Sequence, residues 1–231
     1  MAAVNFNHQK LPDLQLGYFE NVHLGQPTSV IEEEQFKAAV WEELPAVVDA
    51  RITSDPANRV VRSWKDYGPP KKEFAYVQVT HLNMSMQPVT GEVVIHRTLA
   101  EDVVGISGDL FKAQFPIEQQ RLIDYWDADD EASMSENNSS ALCVRAITAG
   151  STLSNHALGR AWDINTRWNP YINLQTGLIA PANGKEFVDR TLKNPGMIQE
   201  GDAVTRAFKT RGWEWGGDWT SRKDYQHFQK V

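Results

Sequence analysis

Apolar and polar positions alternate over residues 76–82 (YVQVTHL), a run rich in β-branched side chains, and this predicts a strand. Residues 91–96 (GEVVIH) predict a second. Over residues 99–114 the spacing lengthens. Val103, Ile106, Leu110 and Phe111 recur every three or four positions, which predicts a helix with that stripe buried. Residues 117–126 (IEQQRLIDYW) predict another helix, opened after Pro116. Residues 141–147 and 161–165 predict short buried strands, residues 203–209 a helix stopped by Gly212, and residues 224–229 a terminal strand. Upstream, residues 31–43 (IEEEQFKAAVWEE) predict a helix with Ile31, Phe36, Ala39 and Val40 on one side. Pro69-Pro70, inside the polar stretch DYGPPKKE, marks a boundary, because neither proline continues a helix or pairs centrally in a sheet. Strands and helices are interspersed without a regular βαβ repeat, which predicts an α+β fold. The expected organisation is an N-terminal segment of unassigned role over residues 1–74, followed by one domain over residues 75–231.

Composition narrows the function classes. A chain of 231 residues is long enough for one large domain, or for an ordinary domain with an appendage. The net charge is −7 with a sequence pI near 5.4, and no Lys/Arg run exceeds Lys71-Lys72. This argues against a nucleic-acid-binding face. No apolar run approaches the length of a membrane span. Cys143 is the one cysteine, so the chain forms no internal disulfide and no thiolate-rich structural zinc site. The opening MAAVNFNHQKLPDLQ has no charged-then-apolar signal pattern. Location stays open among retention, a trimmed signal and another route of export.

The chemistry concentrates in two stretches. Residues 154–163 read Ser-Asn-His-Ala-Leu-Gly-Arg-Ala-Trp-Asp, and residues 224–228 read Asp-Tyr-Gln-His-Phe. Together they supply two imidazoles and two carboxylates, the donor types from which catalytic zinc takes three protein ligands while keeping a position for water. A His seven residues before an Asp is common by chance, but the context adds weight. Gly159 suits a close backbone approach or a positive φ beside His156. Asp163 sits in the apolar run AWDIN, where an unpaired carboxylate is costly and a cation removes the cost. The helical HExxH motif is missing.

These stretches, with Cys143-Val144-Arg145, Ala157, Gly159, Ala161, Ile164-Asn165 and Asn169-Pro170-Tyr171, resemble the VanY-type D-alanyl-D-alanine carboxypeptidases. The L-alanyl-D-glutamate endopeptidases of phage endolysins belong to the same family. Further matching blocks are Phe115-Pro116-Ile117, Asp130-x-x-Ser133-Met134-x-x-Asn137-Asn138-x-Ser140-Ala141 and Gly212-Trp213-x-Trp215-Gly216-Gly217-Asp218-Trp219. The resemblance spans about residues 75–229 and departs at Leu142 and Cys143, in a block that often reads aromatic-Asn-Cys-Arg. It implies a small antiparallel sheet carrying one Zn2+ per chain, flanked by helices, with His156, Asp163 and His227 as metal ligands. It also implies Asp224 as general base and Arg145 as the group polarising the scissile carbonyl. The substrate it implies is a peptidoglycan stem peptide, met in the periplasm or outside the cell. The Asp-x-x-His form of the closing motif leans to the endopeptidases, in an endolysin or a delivered antibacterial effector, since the carboxypeptidases more often show Glu there. The alternatives are a D-alanyl-D-alanine carboxypeptidase and, from another class, a non-catalytic cell-wall peptide-binding module. The oligomeric state stays open.

Other residues have candidate roles of their own. Ser154, Trp215 and Trp219 are candidates for substrate contact, each weighed against local hydrogen bonding or core packing. Trp213 is weighed in the same way. Asp218 is a rival ligand, or a hydrogen-bond partner to a metal-bound histidine. His81 and His96 read as structural, Cys143 as a small buried hydrophobe, and the acidic run 127–131 as a solvated loop.

Overall fold

A computed structural model describes residues 60, 62–145 and 153–231, and the backbone alone of residues 52–53. These lie in a compact unit, Ile52–Val231. The helix expected over residues 31–43 falls outside the described residues, as do His8 and His23.

The longest pairing is a hairpin of β2 (Phe74–Leu82) with β3 (Pro88–His96), and β1 (Ile52–Thr53) adds to the free edge of β2. Both expected strands form here, extended at their ends. The turn closes because Asn83 Oδ1 accepts from the backbone N–H of Ser85 and Gln87 at 2.9 and 3.0 Å, with Met86 at φ 58°. Helix α1 (Ala100–Lys112) forms as its periodicity predicts, with Val103, Ile106, Leu110 and Phe111 buried. It packs on β2 and on a later helix, α3 (Ala203–Lys209). Asp202 caps α3, accepting from Thr205 N at 2.8 Å, and Gly212 beyond its end takes φ 79°.

The helix expected over residues 117–126 does not form. Instead β4 (Gln119–Gln120) pairs in parallel with β5 (Asn138–Ser139), and a 3-10 turn follows at Ile123–Trp126. Tertiary partners take backbone donors of this segment. Asn165 Oδ1 accepts from Glu118 N at 3.0 Å, and Asn138 Oδ1 from Arg121 N at 2.9 Å. The buried Gln120 amide bonds Glu92 O, Ser139 O and Trp162 Nε1. A short helix, α2 (Asp130–Ser135), lies between these strands, capped by Asp129.

Residues 141–144 are buried and Arg145 is partly exposed, but none of them joins a ladder. Residues 146–147 of that expected strand lie outside the described residues.

The site rests on two small antiparallel sheets. One runs β6 (Ala161–Asp163), β11 (His227–Gln229), β9 (Glu214–Trp215), and the other β10 (Arg222–Asp224), β7 (Tyr171–Asn173), β8 (Ile179–Ala180). The terminal strand expected over residues 224–229 is therefore two strands in two sheets. At Tyr225–Gln226 the chain changes sheet. Tyr225 O accepts from Trp215 Nε1 at 2.9 Å, and Gln226 O from Ile164 N at 3.1 Å. Beneath β11 lies an aromatic core in which Phe208 stacks on Phe228 at 3.8 Å between centroids, with Trp162, Trp213 and Trp215 around them.

The stretch before Pro69-Pro70 is packed into this unit. Val60 is buried with Phe74, Tyr76, Leu122, Val144 and Ala157. Asp124 Oδ1 accepts from the backbone N–H of Arg62 and Ser63, Val144 N donates to Ser63 O, and Tyr67 Oη donates to Val144 O. The diproline thus lies within the packed region, with buried contacts on both sides.

Candidate metal centre and substrate cleft

His156 stands on a tight loop that the sequence shapes locally. Ser154 Oγ accepts from Ala157 N at 3.1 Å, and Arg160 N closes the turn onto Asn155 O at 2.8 Å. Gly159 has φ 62°, and its carbonyl accepts from His96 N at 2.8 Å. A Cβ at Gly159 would lie 2.7 Å from both His96 N and the Phe74 ring, so a larger residue would push the loop off β3. Asp163 on β6 lies directly opposite His227 on β11, which puts both side chains on one face.

The three side chains converge. His156 Nε2 lies 3.2 Å from an Asp163 carboxylate oxygen and 3.2 Å from His227 Nδ1. His227 Nδ1 lies 3.0 Å from the other Asp163 oxygen. All three residues are at least nine-tenths buried. Four-coordinate zinc with bonds near 2.0–2.1 Å separates its ligand atoms by about 3.3 Å. The observed separations are close to that edge, so the donor set fits a zinc ion. Each ring is also held in the tautomer ligation needs. His156 Nδ1 donates to Ala141 O at 2.7 Å, leaving Nε2 to face the cluster. His227 Nε2 donates to Gln229 Oε1 at 3.1 Å, leaving Nδ1 to face it. Gln229 is braced in turn: Asn155 Nδ2 donates to its Oε1 at 2.7 Å, and its Nε2 donates to Glu214 Oε2 at 3.0 Å.

Electrostatics in the cluster agree with this geometry. Burial disfavours charge on Asp163, but the two histidines outweigh it and hold the carboxyl well below the usual range. Burial likewise opposes charge on His227, yet the hydrogen bond and charge of Asp163 push it up to about 9. The buried carboxylate between two imidazoles thus gives the cluster a preference for positive charge, as a cation site requires.

The cluster forms the wall of a cleft of about 600 Å³, which Asp224, Arg145, Ser154 and Trp219 also line. Burial raises the Asp224 carboxyl to about 7, and its Oδ1 is enclosed without a hydrogen-bond partner among the described residues. Arg145 pairs with Asp130 at 2.7 Å on the cleft wall. The Trp219 ring lies 5.4 Å from that of His227, and the Arg222 guanidinium lies over the Trp219 ring at 4.4 Å. A second recess of about 550 Å³ adjoins the cleft and shares Asn155, Trp219, Arg222 and Gln229 with it.

Seven of the eight residues singled out from the sequence thus meet in one cleft. Trp215 does not. It is buried beneath β11, with its Nε1 bonded to Tyr225 O, and it packs the core that supports the site. Trp213 is also core, bonded to Asp102. Asp218 neither joins the cluster nor touches its histidines, but pairs with Lys209 at 2.7 Å. The partner that orients His227 is Gln229, which sequence reasoning missed. Its place two residues along the same strand was the available signal. Asn155, Gln226 and Asp130 were also missed as participants.

Residues 148–230 match a family model described as D-alanyl-D-alanine carboxypeptidase. The match includes Ser154, the three converging residues and Asp224, and stops just short of Arg145. Neither a curated protein nor a solved structure matches the chain.

Proposed function

From residues 148–230, which belong to the VanY-like family of zinc metallopeptidases acting on peptidoglycan peptides, we propose that the chain is a zinc-dependent endopeptidase of L-alanyl-D-glutamate type. The observation that carries the zinc chemistry is the convergence of His156 Nε2, Asp163 and His227 Nδ1 at 3.0–3.2 Å beside Asp224, whose Oδ1 is enclosed without a hydrogen-bond partner among the described residues. His156, Asp163 and His227 would hold one zinc ion per chain. Zinc so held supplies an activated water and a Lewis acid for the scissile carbonyl.

The chain's own residues do the rest. Asp224, raised to about 7 by burial, takes the proton of the attacking water and returns it to the leaving amine. Arg145, aimed along the cleft wall by Asp130, offers a second positive group to the developing oxyanion. Gln229 and the Ala141 carbonyl keep both imidazoles oriented through catalysis. Trp219 with Arg222 forms a shelf beside the cluster on which a peptide can lie. Ser154 serves chiefly to cap the His156 loop, and its place in the cleft wall leaves it within the substrate's surroundings.

Support for internal cleavage comes from the adjoining recess, which shares Asn155, Trp219, Arg222 and Gln229 with the cleft and would offer substrate room beyond the cluster. The description of the matching family model favours a second reading, removal of a terminal D-alanine. Digestion of purified peptidoglycan, with mass spectrometry of the products, separates them. New L-alanine and D-glutamate ends that vanish with chelator support the endopeptidase. Release of free D-alanine alone supports the carboxypeptidase, and no chelator-sensitive product refutes both. No helix among the described residues is long and apolar enough to cross a membrane, and the substrate places the site of action at the cell wall.

A further inference from the structure

Gln226 stands in the chain between the proposed general base, Asp224, and the proposed metal ligand His227. It is only 2% exposed, and its Oε1 is enclosed without a hydrogen bond among the described residues. It nevertheless lines the same cleft as His156, Asp163 and His227. Its backbone is fixed, since its carbonyl accepts from Ile164 N at 3.1 Å where the chain leaves β6. A polar amide buried without a partner is costly, and native structures keep such groups where a ligand or a reacting group will satisfy them. Two positions away, Asp224 Oδ1 is enclosed and unpartnered on the same cleft. A wall carrying two unsatisfied acceptors takes a donor, and the donor that a peptide offers is N–H.

We propose that Gln226 is a substrate-binding residue whose side-chain amide accepts a hydrogen bond from a backbone N–H of the peptide flanking the scissile bond. The inference rests on the peptidase reading above. The scissile nitrogen belongs to Asp224, which must protonate it, so the N–H left for Gln226 is that of a neighbouring residue. The contact positions the peptide along the cleft. It is made in the ground state as well as in the transition state, so its loss raises KM and lowers kcat/KM with little change in kcat.

The test uses the full-length zinc-loaded protein and a series of synthetic stem peptides. In each, one non-scissile N–H is replaced by oxygen. Wild-type kcat/KM should fall roughly ten- to hundred-fold for one peptide of the series and change little for the rest. Gln226→Leu should show a similar loss on the parent peptide and no further loss on that one analogue. Gln226→Glu, which keeps an acceptor, should retain the discrimination. Zinc content and melting temperature establish that each variant is folded. If Gln226→Leu fails this check, Gln226→Met, which is unbranched at Cβ and Cγ like glutamine, takes its place. Equal sensitivity of wild type and the folded apolar variant to every replacement would overturn the role of Gln226 while leaving the peptidase reading intact. A wild-type enzyme that cleaves no stem peptide would overturn that reading itself.

Discussion

Gln229 gives the sharpest test of how the metal centre is built. Its Oε1 accepts from His227 Nε2 at 3.1 Å and from Asn155 Nδ2 at 2.7 Å, and its own Nε2 is anchored on Glu214 at 3.0 Å. Gln229→Leu keeps the approximate size and removes all three bonds. His227 then loses the acceptor that holds its proton on Nε2, and the ring is free to rotate or to change tautomer, either of which turns the ligating lone pair away from the cluster. The imidazole also loses the polarisation that makes Nδ1 a better donor. Loss of one such orienting partner typically costs ten- to hundred-fold in metal affinity, or about 1.4–2.7 kcal/mol. His227→Ala removes the ligand itself and should abolish stoichiometric zinc binding. Gln229→Glu supplies an acceptor to His227 but sets a carboxylate against Glu214, so it should recover only part of the loss. The assay is competition for zinc against a chromophoric chelator at fixed pH, with a thermal melt of each variant to establish folding. A folded Gln229→Leu protein with wild-type zinc affinity and wild-type turnover would refute the assignment of Gln229 as the residue that orients His227.

Other outcomes follow from the same geometry. Asp224→Ala should keep its zinc and its fold but lose about 100- to 10,000-fold in kcat. The wild-type rate should fall as pH drops through a limb at or below about 7, because Asp224 accepts a proton only when ionised, and that limb should be missing from the pH profile of the variant. Arg145→Ala should lower kcat by about 100-fold or more, with Arg145→Lys recovering part of it, whereas a destabilised protein with normal kcat per folded molecule would leave Arg145 a structural partner of Asp130. A chain beginning at residue 72 should melt lower than one beginning at residue 52. It loses the burial of Val60, about 1.5–3 kcal/mol, and leaves Asp124 without the N–H groups of Arg62 and Ser63; equal melting temperatures would show that these contacts carry no stability. Burial pushes the Cys143 thiol up to about 12, so a thiol reagent at pH 8 should label the denatured protein and leave the folded one unlabelled over the same interval.

Much of the site was legible in the chain because its chemistry is local. The loop Ser154–Gly159 is shaped by a serine cap and a glycine at positive φ, both readable from neighbours a few residues away. Helices α1 and α3 and the β2–β3 hairpin follow their own periodicity, since each buries one regular face. Where the backbone hydrogen bonds of a segment go to distant partners, local pattern misleads. Residues 117–126 carry a helical stripe, yet Asn165 and Asn138 take their N–H groups and the segment becomes a strand and a 3-10 turn. Residues 224–229 read as one strand, but the change of sheet at Tyr225–Gln226 is set by Trp215 and Ile164, far along the chain. That change is what brings Asp224 and His227 from two different sheets to one cleft. The identities of the proposed ligands belong to the sequence alone, because only certain side chains hold a metal. Their meeting at 3.0–3.2 Å, the bracing of His227 by Gln229, and the burial of Trp215 under the sheet were decided by strand register and packing, which depend on pairings that no single segment contains.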